Sequence, residues 1–115
     1  MKKLLILIQQ DPYENSRVSE GIDLAFAAAT FDIDVAIVFA KEGLVCLTSG
    51  QSTSEIQRRS VEKKIKSLPI YGIEQLYALE DLTLDIQSQI SVEIKTINED
   101  RLMDLFTEFE EIQVF

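Results

Sequence analysis

The chain has 115 residues, of which 46% are hydrophobic, and it carries a formal net charge of −9. This length and composition suit one domain with a proper hydrophobic core and argue against disorder. The negative charge argues against direct binding to nucleic acid or to an anionic membrane, because phosphate groups are bound by basic surfaces.

The residue types that are missing exclude several classes of site. The chain has one cysteine, Cys46, and no histidine. A single cysteine excludes an internal disulfide and a cysteine-rich metal site. Without histidine, neither a Ser-His-Asp nor a Cys-His mechanism is available within this chain.

The N-terminal apolar run does not predict export or membrane insertion. It extends only from Leu4 to Ile8 and no small-residue cleavage site follows it, so it is too short for a signal peptide. No segment reaches the roughly 20 apolar residues that span a bilayer. We therefore expect a soluble, cytoplasmic protein.

The first half of the chain predicts two strands with a helix between them. The continuous apolar run "KLLILIQ" (3–9) is typical of a strand that helices cover on both faces. Asn15 or Ser16 can cap the helix that follows. "DVAIVFA" (34–40) is a second buried strand. The predicted helix has its apolar stripe at Val18, Ile22, Ala25, Phe26 and Ala29.

The second half continues the alternation of helices and strands. A short helical turn and a loop contain Cys46, and a helix from about Glu55 to Leu68 ends at Pro69. "IEQLYAL" (73–79) and "SVEIKTI" (91–97) are predicted strands on either side of a short helix. A final helix and the fifth strand "EIQVF" (111–115) complete the series. The final helix is predicted to be capped by Asn98 and to bury Leu102, Leu105, Phe106 and Phe109.

This element order predicts the fold. Strands that alternate with helices indicate an α/β protein with right-handed crossovers. We expect a three-layer α/β/α single domain, residues 1–115, with a five-stranded, mainly parallel sheet. In such folds, ligands and chemistry are found at the carboxyl ends of the strands.

The loops at those strand ends do not predict a cofactor or a metal ion. The loop after the first strand, "QQDPYENSR" (9–17), has no glycine, so it cannot form the cradle that binds nucleotide, flavin or nicotinamide phosphates. Asp11, Glu80 and Asp81 follow strands, and carboxylates there can bind Mg²⁺. A phosphoacceptor site also needs a cation after the last strand, which "EIQVF" lacks. Turn formation and helix capping explain these acids.

Cys46 is the candidate catalytic residue, and two interpretations of it remain open. A reactive thiol needs a lowered pKa from a helix N-terminus, a basic neighbour or a metal, and Lys41 is near in sequence. However, Val45 and Leu47 flank the thiol, and free cysteine is among the most often buried residues. We favour a packing role, which leaves the chain without a catalytic residue.

A basic run is the other chemical feature of the sequence. Five of the eleven basic residues lie in "SEIQRRSVEKKIKSL": Arg58, Arg59, Lys63, Lys64 and Lys66. We interpret this run as a solvated helix face. The alternative is a docking patch for an acidic protein.

Several segments resemble one protein family. Pro12 in the first loop, "SEGIDLAFAAA" (19–29), "DVAIVFAKEG" (34–43) and "LPIYGIEQLY" (68–77) are similar to the DsrE/DsrF/DsrH sulfur-relay family. Within that family, the DsrF-like branch that includes TusC is the most similar. The resemblance covers essentially the whole chain and rests on the sum and order of these segments.

The resemblance implies a role in a complex. Members like this assemble with two homologous sister subunits, TusB-like and TusD-like, into a heterohexamer. The complex takes persulfide sulfur from one carrier protein and passes it to another, toward 2-thiouridine at the tRNA wobble position. The catalytic sister carries its sulfur on a cysteine after the third strand, and the matching positions here are Leu76 or Leu79.

Three functional hypotheses follow. The first is a non-catalytic structural subunit of such a relay, without a cofactor or metal and without direct contact to nucleic acid. The second is a sulfurtransferase that uses Cys46 as its own persulfide carrier. The third is a stand-alone homo-oligomeric binding protein.

Overall fold

The computed structural model describes residues 3–10, 17–41, 43, 63–80 and 94–115. Helical residues 63–67 are called α2 below, and they lead into a 3₁₀ turn at Pro69–Tyr71. The other elements are β1 (Lys3–Ile8), α1 (Arg17–Thr30), β2 (Asp34–Phe39), β3 (Gln75–Leu79), β4 (Lys95–Ile97), α3 (Glu99–Glu108) and β5 (Glu111–Val114).

The five strands form one sheet in the order β4-β3-β2-β1-β5. Every neighbouring pair is parallel, which confirms the predicted α/β fold. Strand β1 lies between β2 and β5, so both of its edges are hydrogen-bonded, and helices pack on both of its faces. Its last five residues are all buried, as the continuous apolar run predicted.

Helices cover both faces of the sheet and create two apolar clusters. Alternate residues of a strand point to opposite faces. Leu4, Ile6 and Ile8 of β1 therefore join one cluster with residues of α1 and α2. Leu5 and Leu7 join the other cluster with residues of α3. Each cluster lies between the sheet and one helix layer, as the predicted three-layer arrangement requires.

The predicted faces of the helices are confirmed in the described residues. In α1, Val18, Ile22 and Ala25 are fully buried. In α3, the Oδ1 atom of Asn98 accepts a hydrogen bond from the backbone N–H of Arg101 at 2.9 Å, as an N-cap does. The stripe of α3 is buried at Leu102, Leu105 and Phe109, with Phe106 half-buried.

Two elements differ from the predicted boundaries. Helix α2 does not stop abruptly at Pro69, because Pro69–Tyr71 adds a 3₁₀ turn that ends at Gly72 with φ 86°. Strand β4 is only three residues long. The predicted start of α2 at 55–62, residues 91–93 and the short helix after Glu80 lie outside the described residues.

Candidate functional site

The carboxyl ends of β1, β2 and β3 lie side by side. Ile8 is paired with Phe39 in the sheet register, and Phe39 is paired with Ala78. The chain leaves all three strands at the same edge, which is where the α/β fold predicts a site. The loops that begin there start at residues 9, 40 and 80.

A close backbone contact fixes the chain between the end of β2 and Gly43, three positions before Cys46. The N–H of Ala40 donates to the carbonyl oxygen of Ile8 at 2.9 Å, and the N–H of Gly43 donates to that of Ala40 at 2.8 Å. A Cβ atom at Gly43 would lie 2.1 Å from the Ile8 oxygen, so only glycine fits. Lys41 adopts a left-handed conformation with φ 53°. This loop therefore begins tightly against the end of β1.

Cys46 itself lies outside the described residues. Gly43, three positions before Cys46, is placed at the carboxyl edge by the contact with Ile8. The packing and the persulfide interpretations of Cys46 thus both remain predictions. The contact of Gly43 with Ile8 was not predicted, and a glycine shortly after a buried strand was the available signal.

Phe115 follows β5 at the same carboxyl edge of the sheet and is hydrogen-bonded to the chain at the end of β1. Its N–H donates to the carbonyl oxygen of Leu7 at 2.8 Å, and its own oxygen accepts the N–H of Gln9 at 2.7 Å. Its ring lies against Gly21 of α1, where an added Cβ would approach the ring to 2.9 Å. The aromatic ring therefore packs directly on the α1 backbone, and this contact was not predicted.

The two positions that the resemblance assigns to the sister's cysteine, Leu76 and Leu79, lie within β3 and not after it, and both are apolar. Leu76 is only 2% exposed and belongs to the cluster under α1 and α2. Leu79 is the last residue of β3 and is half-buried against the cluster under α3. The next residue, Glu80, donates its N–H to the oxygen of Ile97 at 2.7 Å. These two side chains complete the core and provide no nucleophile.

The acidic candidates do not form a metal site within the described residues. Glu80 is exposed at the end of β3, whereas Asp11 and Asp81 fall outside the described part. Across the ranges that the structure describes, no group of three or more potential metal ligands is present. Arg101 donates to Glu108 at 3.2 Å, and this contact raises the pKa of Arg101.

The described lysines of the basic run differ in their surroundings: two are exposed to solvent and one contacts α1. Lys63 and Lys66 are exposed, as a solvated helix face predicts. Lys64 differs, because its Nζ atom donates to Ser19 Oγ at 2.9 Å and to Asp23 Oδ1 at 3.1 Å. These residues of α1 precede Lys64 by more than 40 positions, so sequence spacing gave no signal of the contact. Arg58 and Arg59 lie outside the described residues.

A groove of about 420 Å³ lies beside these lysines. The residues that line it are Phe26, Lys63, Lys64, Ser67 and Tyr71. The rings of Phe26 and Tyr71 meet edge to face, with centroids 4.9 Å apart. Tyr71 is 59% exposed. The lysines were identified from the sequence, but the aromatic pair of Phe26 and Tyr71 was not.

No helix in the described part of the chain combines the length and apolar character of a transmembrane span.

Comparison with protein families gives one match over nearly the whole chain. A sequence model described as the DsrE/DsrF-like family matches residues 2–111. A protein named "Protein TusC homolog" from Pseudomonas aeruginosa is 24% identical over 115 residues, which cover 96% of each chain. "Protein TusC" from Shigella flexneri is 28% identical over 106 residues and 89% of each chain.

Two further comparisons concern another relative and a solved structure. "Intracellular sulfur oxidation protein DsrF" from Allochromatium vinosum is 26% identical over 105 residues, which are 91% of this chain and 71% of that protein. The crystal structure of the ychN protein from E. coli superposes over all of both chains with a TM-score of 0.81. At 14% identity, that likeness concerns the fold alone.

Proposed function

Because the chain belongs to the DsrE/DsrF-like family of sulfur-relay proteins, we propose that it is a non-catalytic structural subunit of a multi-subunit sulfur relay. The whole of residues 1–115 then acts as one domain of this family. The complex contains two sister subunits, TusB-like and TusD-like, in a heterohexamer. It is cytoplasmic and passes persulfide sulfur between carrier proteins toward 2-thiouridine at the tRNA wobble position.

The non-catalytic role is supported most directly by the apolar residues at the two positions that the resemblance assigns to the sister's sulfur-carrying cysteine. A persulfide carrier needs a thiol that is accessible at the carboxyl edge and has a lowered pKa. Leu76 is buried within the sheet and Leu79 is half-buried at its end. A subunit with these residues contributes a folded surface to its partners and leaves sulfur transfer to a sister chain.

The absence of histidine from the sequence supports the same role. Sulfur transfer and thiol activation often use an imidazole as the proton acceptor. This chain has no histidine, so any such base comes from a sister subunit. The chain itself then requires no cofactor and no metal ion for its role.

Assembly tests this proposal. The tagged chain is co-expressed with the TusB-like and TusD-like chains of the same organism, and the mass of the purified complex is measured by native mass spectrometry. We expect a complex that contains two further homologous chains with two copies of each chain. A chain that remains a well-behaved monomer at high concentration, and binds neither sister, would contradict the proposal.

The second candidate is a sulfurtransferase that uses Cys46 as its own carrier. The observation in its favour is the contact between Gly43 and Ile8, since it places the start of the Cys46 loop at the carboxyl edge. This candidate requires a thiol that iodoacetamide alkylates rapidly in the native protein. Alkylation only after denaturation would eliminate it. The third candidate, a homo-oligomer, requires a defined assembly of this chain alone.

A further inference from the structure

The groove between α1 and the 69–71 turn has features of a binding surface, and none of the observations that support the relay role involves it. We propose that this groove binds an acidic segment of a partner protein, with one large apolar side chain of the segment inserted beside Tyr71. The groove recognises this protein partner through local charge and an aromatic contact.

The aromatic half of the groove is exposed and rigidly held. Tyr71 is 59% exposed and the adjacent Ile70 is 81% exposed. Hydrogen bonds fix their turn: the N–H of Tyr71 donates to Leu68 at 3.1 Å and that of Gly72 donates to Pro69 at 3.0 Å. A partner that packs on these side chains therefore loses little conformational entropy from this surface. Exposed aromatic side chains on a rigid turn are typical anchors of interfaces.

The basic half of the groove determines the charge of its occupant. Lys63 is exposed and makes no ion pair with a described residue. Lys64 is held in place by Ser19 and Asp23, and 29% of its side chain remains exposed. Asp23 neutralises part of this charge, so within the described part of the chain the groove retains one cation, Lys63, without an ion-pair partner. Carboxylates of a bound segment supply the missing partner.

The rest of the molecule favours a short protein segment over a larger polyanion. The whole chain carries a charge of −9, and exposed acids such as Glu20 and Glu74 lie on the same elements or beside them. A nucleic acid or an anionic bilayer extends beyond the groove and meets this repulsion. A short segment interacts mainly within a Debye length of about 10 Å, and the charged side chains that line the groove itself are Lys63 and Lys64.

A second copy of the chain is a poorer occupant. Its acidic helix α3, with the exposed Met103, has suitable chemistry. That helix covers the opposite face of the sheet from α1 and α2. A groove that binds α3 of another copy gives a head-to-tail contact, which leaves a free groove on one molecule and a free helix on the other.

Selection from a library of random 12-residue peptides displayed on phage tests the proposal with the full-length chain. We expect the selected peptides to be acidic and to contain a leucine, isoleucine, phenylalanine or methionine. One selected peptide is then synthesised with a fluorescein label, and its affinity is measured by fluorescence anisotropy. Two control peptides replace either the apolar residue by serine or the acids by glutamine.

Variants of the groove give the quantitative test. We expect Lys63→Glu to weaken the labelled peptide at least about fivefold at low salt, and Tyr71→Ala to weaken it about tenfold. Lys66 lies on the same helix but does not line the groove, so Lys66→Glu is the matched control. It changes the net charge equally, and we expect less than a twofold effect.

Several results would overturn the proposal. These are no enriched peptides, enrichment of neutral or basic peptides, or equal effects of Lys63→Glu and Lys66→Glu. Self-association that Tyr71→Ala abolishes would assign the groove to a second copy instead. Binding to phosphatidylglycerol vesicles that Lys63→Glu abolishes would assign it to a membrane. None of these results depends on whether the chain also assembles with its sisters.

Discussion

The contact between Gly21 and Phe115 allows a prediction in which one substitution has opposite effects in two backgrounds. Gly21 is buried within α1, and a Cβ there would lie 2.9 Å from the Cγ and Cδ2 atoms of the Phe115 ring. Alanine in place of glycine stabilises a helix interior by about 0.5–1 kcal/mol. Here the added methyl also displaces the ring, and overpacking costs about 1–3 kcal/mol.

The two effects can be separated by removing the ring. In the natural background, we expect Gly21→Ala to lower the free energy of unfolding by about 1–2 kcal/mol. In a Phe115→Ala background the methyl meets no ring, so the same substitution should raise the free energy of unfolding by about 0.5–1 kcal/mol. The coupling energy between the two sites is then about 1.5–3 kcal/mol.

Urea unfolding of the four proteins measures this coupling. Fluorescence and far-ultraviolet circular dichroism are followed together, because coincident transitions support two-state unfolding. The natural chain, the two single variants and the double variant form the cycle. If Gly21→Ala destabilises both backgrounds equally, then the ring is not the reason for glycine, and the proposed packing of Phe115 on α1 is wrong.

Three further predictions concern the strand ends and the cap of α3. Gly43→Ala should cost about 3 kcal/mol or more in urea unfolding, because its Cβ would lie 2.1 Å from the backbone oxygen of Ile8; an unchanged midpoint would contradict this contact. Asn98→Ala should cost about 1 kcal/mol through the lost N-cap, whereas Asn98→Asp should retain stability. In a chain without its native cysteine, Leu79→Cys should react with dithionitrobenzoate faster than Leu76→Cys, since residue 76 is only 2% exposed; equal native-state rates would contradict the placement of β3.

The secondary structure and fold class followed from the sequence because the apolar patterns were strong. The run that became β1 is apolar at every buried position, and the stripe of α1 recurs at helical spacing. Asn98 was predictable as a cap because it directly precedes the apolar stripe of α3. Local patterns of this kind report which elements exist and which side of each is buried.

The strand order and the long-range contacts could not be predicted in this way. Alternating strands and helices fix the handedness of each crossover but not which strands become neighbours, so the order β4-β3-β2-β1-β5 had no local signal. The contact of Lys64 with Asp23 joins residues 41 positions apart. Phe115 and Gly21 lie near opposite ends of the chain, and only the folded structure brings them together.

The location of the candidate site at the carboxyl ends of the strands stays a prediction, and several contacts found at that edge were not predicted from the sequence. The α/β pattern placed it at the carboxyl ends of the strands, and Gly43 and Phe115 lie there. The groove beside Tyr71 was missed, because its aromatic pair comes from α1 and from a turn after α2. Neither segment shows an unusual pattern by itself.

The proposed function requires this subunit to support sulfur relay without using a thiol of its own. Its most direct test is nucleoside mass spectrometry of the wobble uridine in cells that lack the chain and are rescued with the natural protein or with Cys46→Ala. We expect the natural protein and Cys46→Ala to restore 2-thiouridine to the same level. Restoration by the natural protein alone, with a Cys46→Ala variant that still assembles, would make Cys46 a sulfur carrier and would contradict the account.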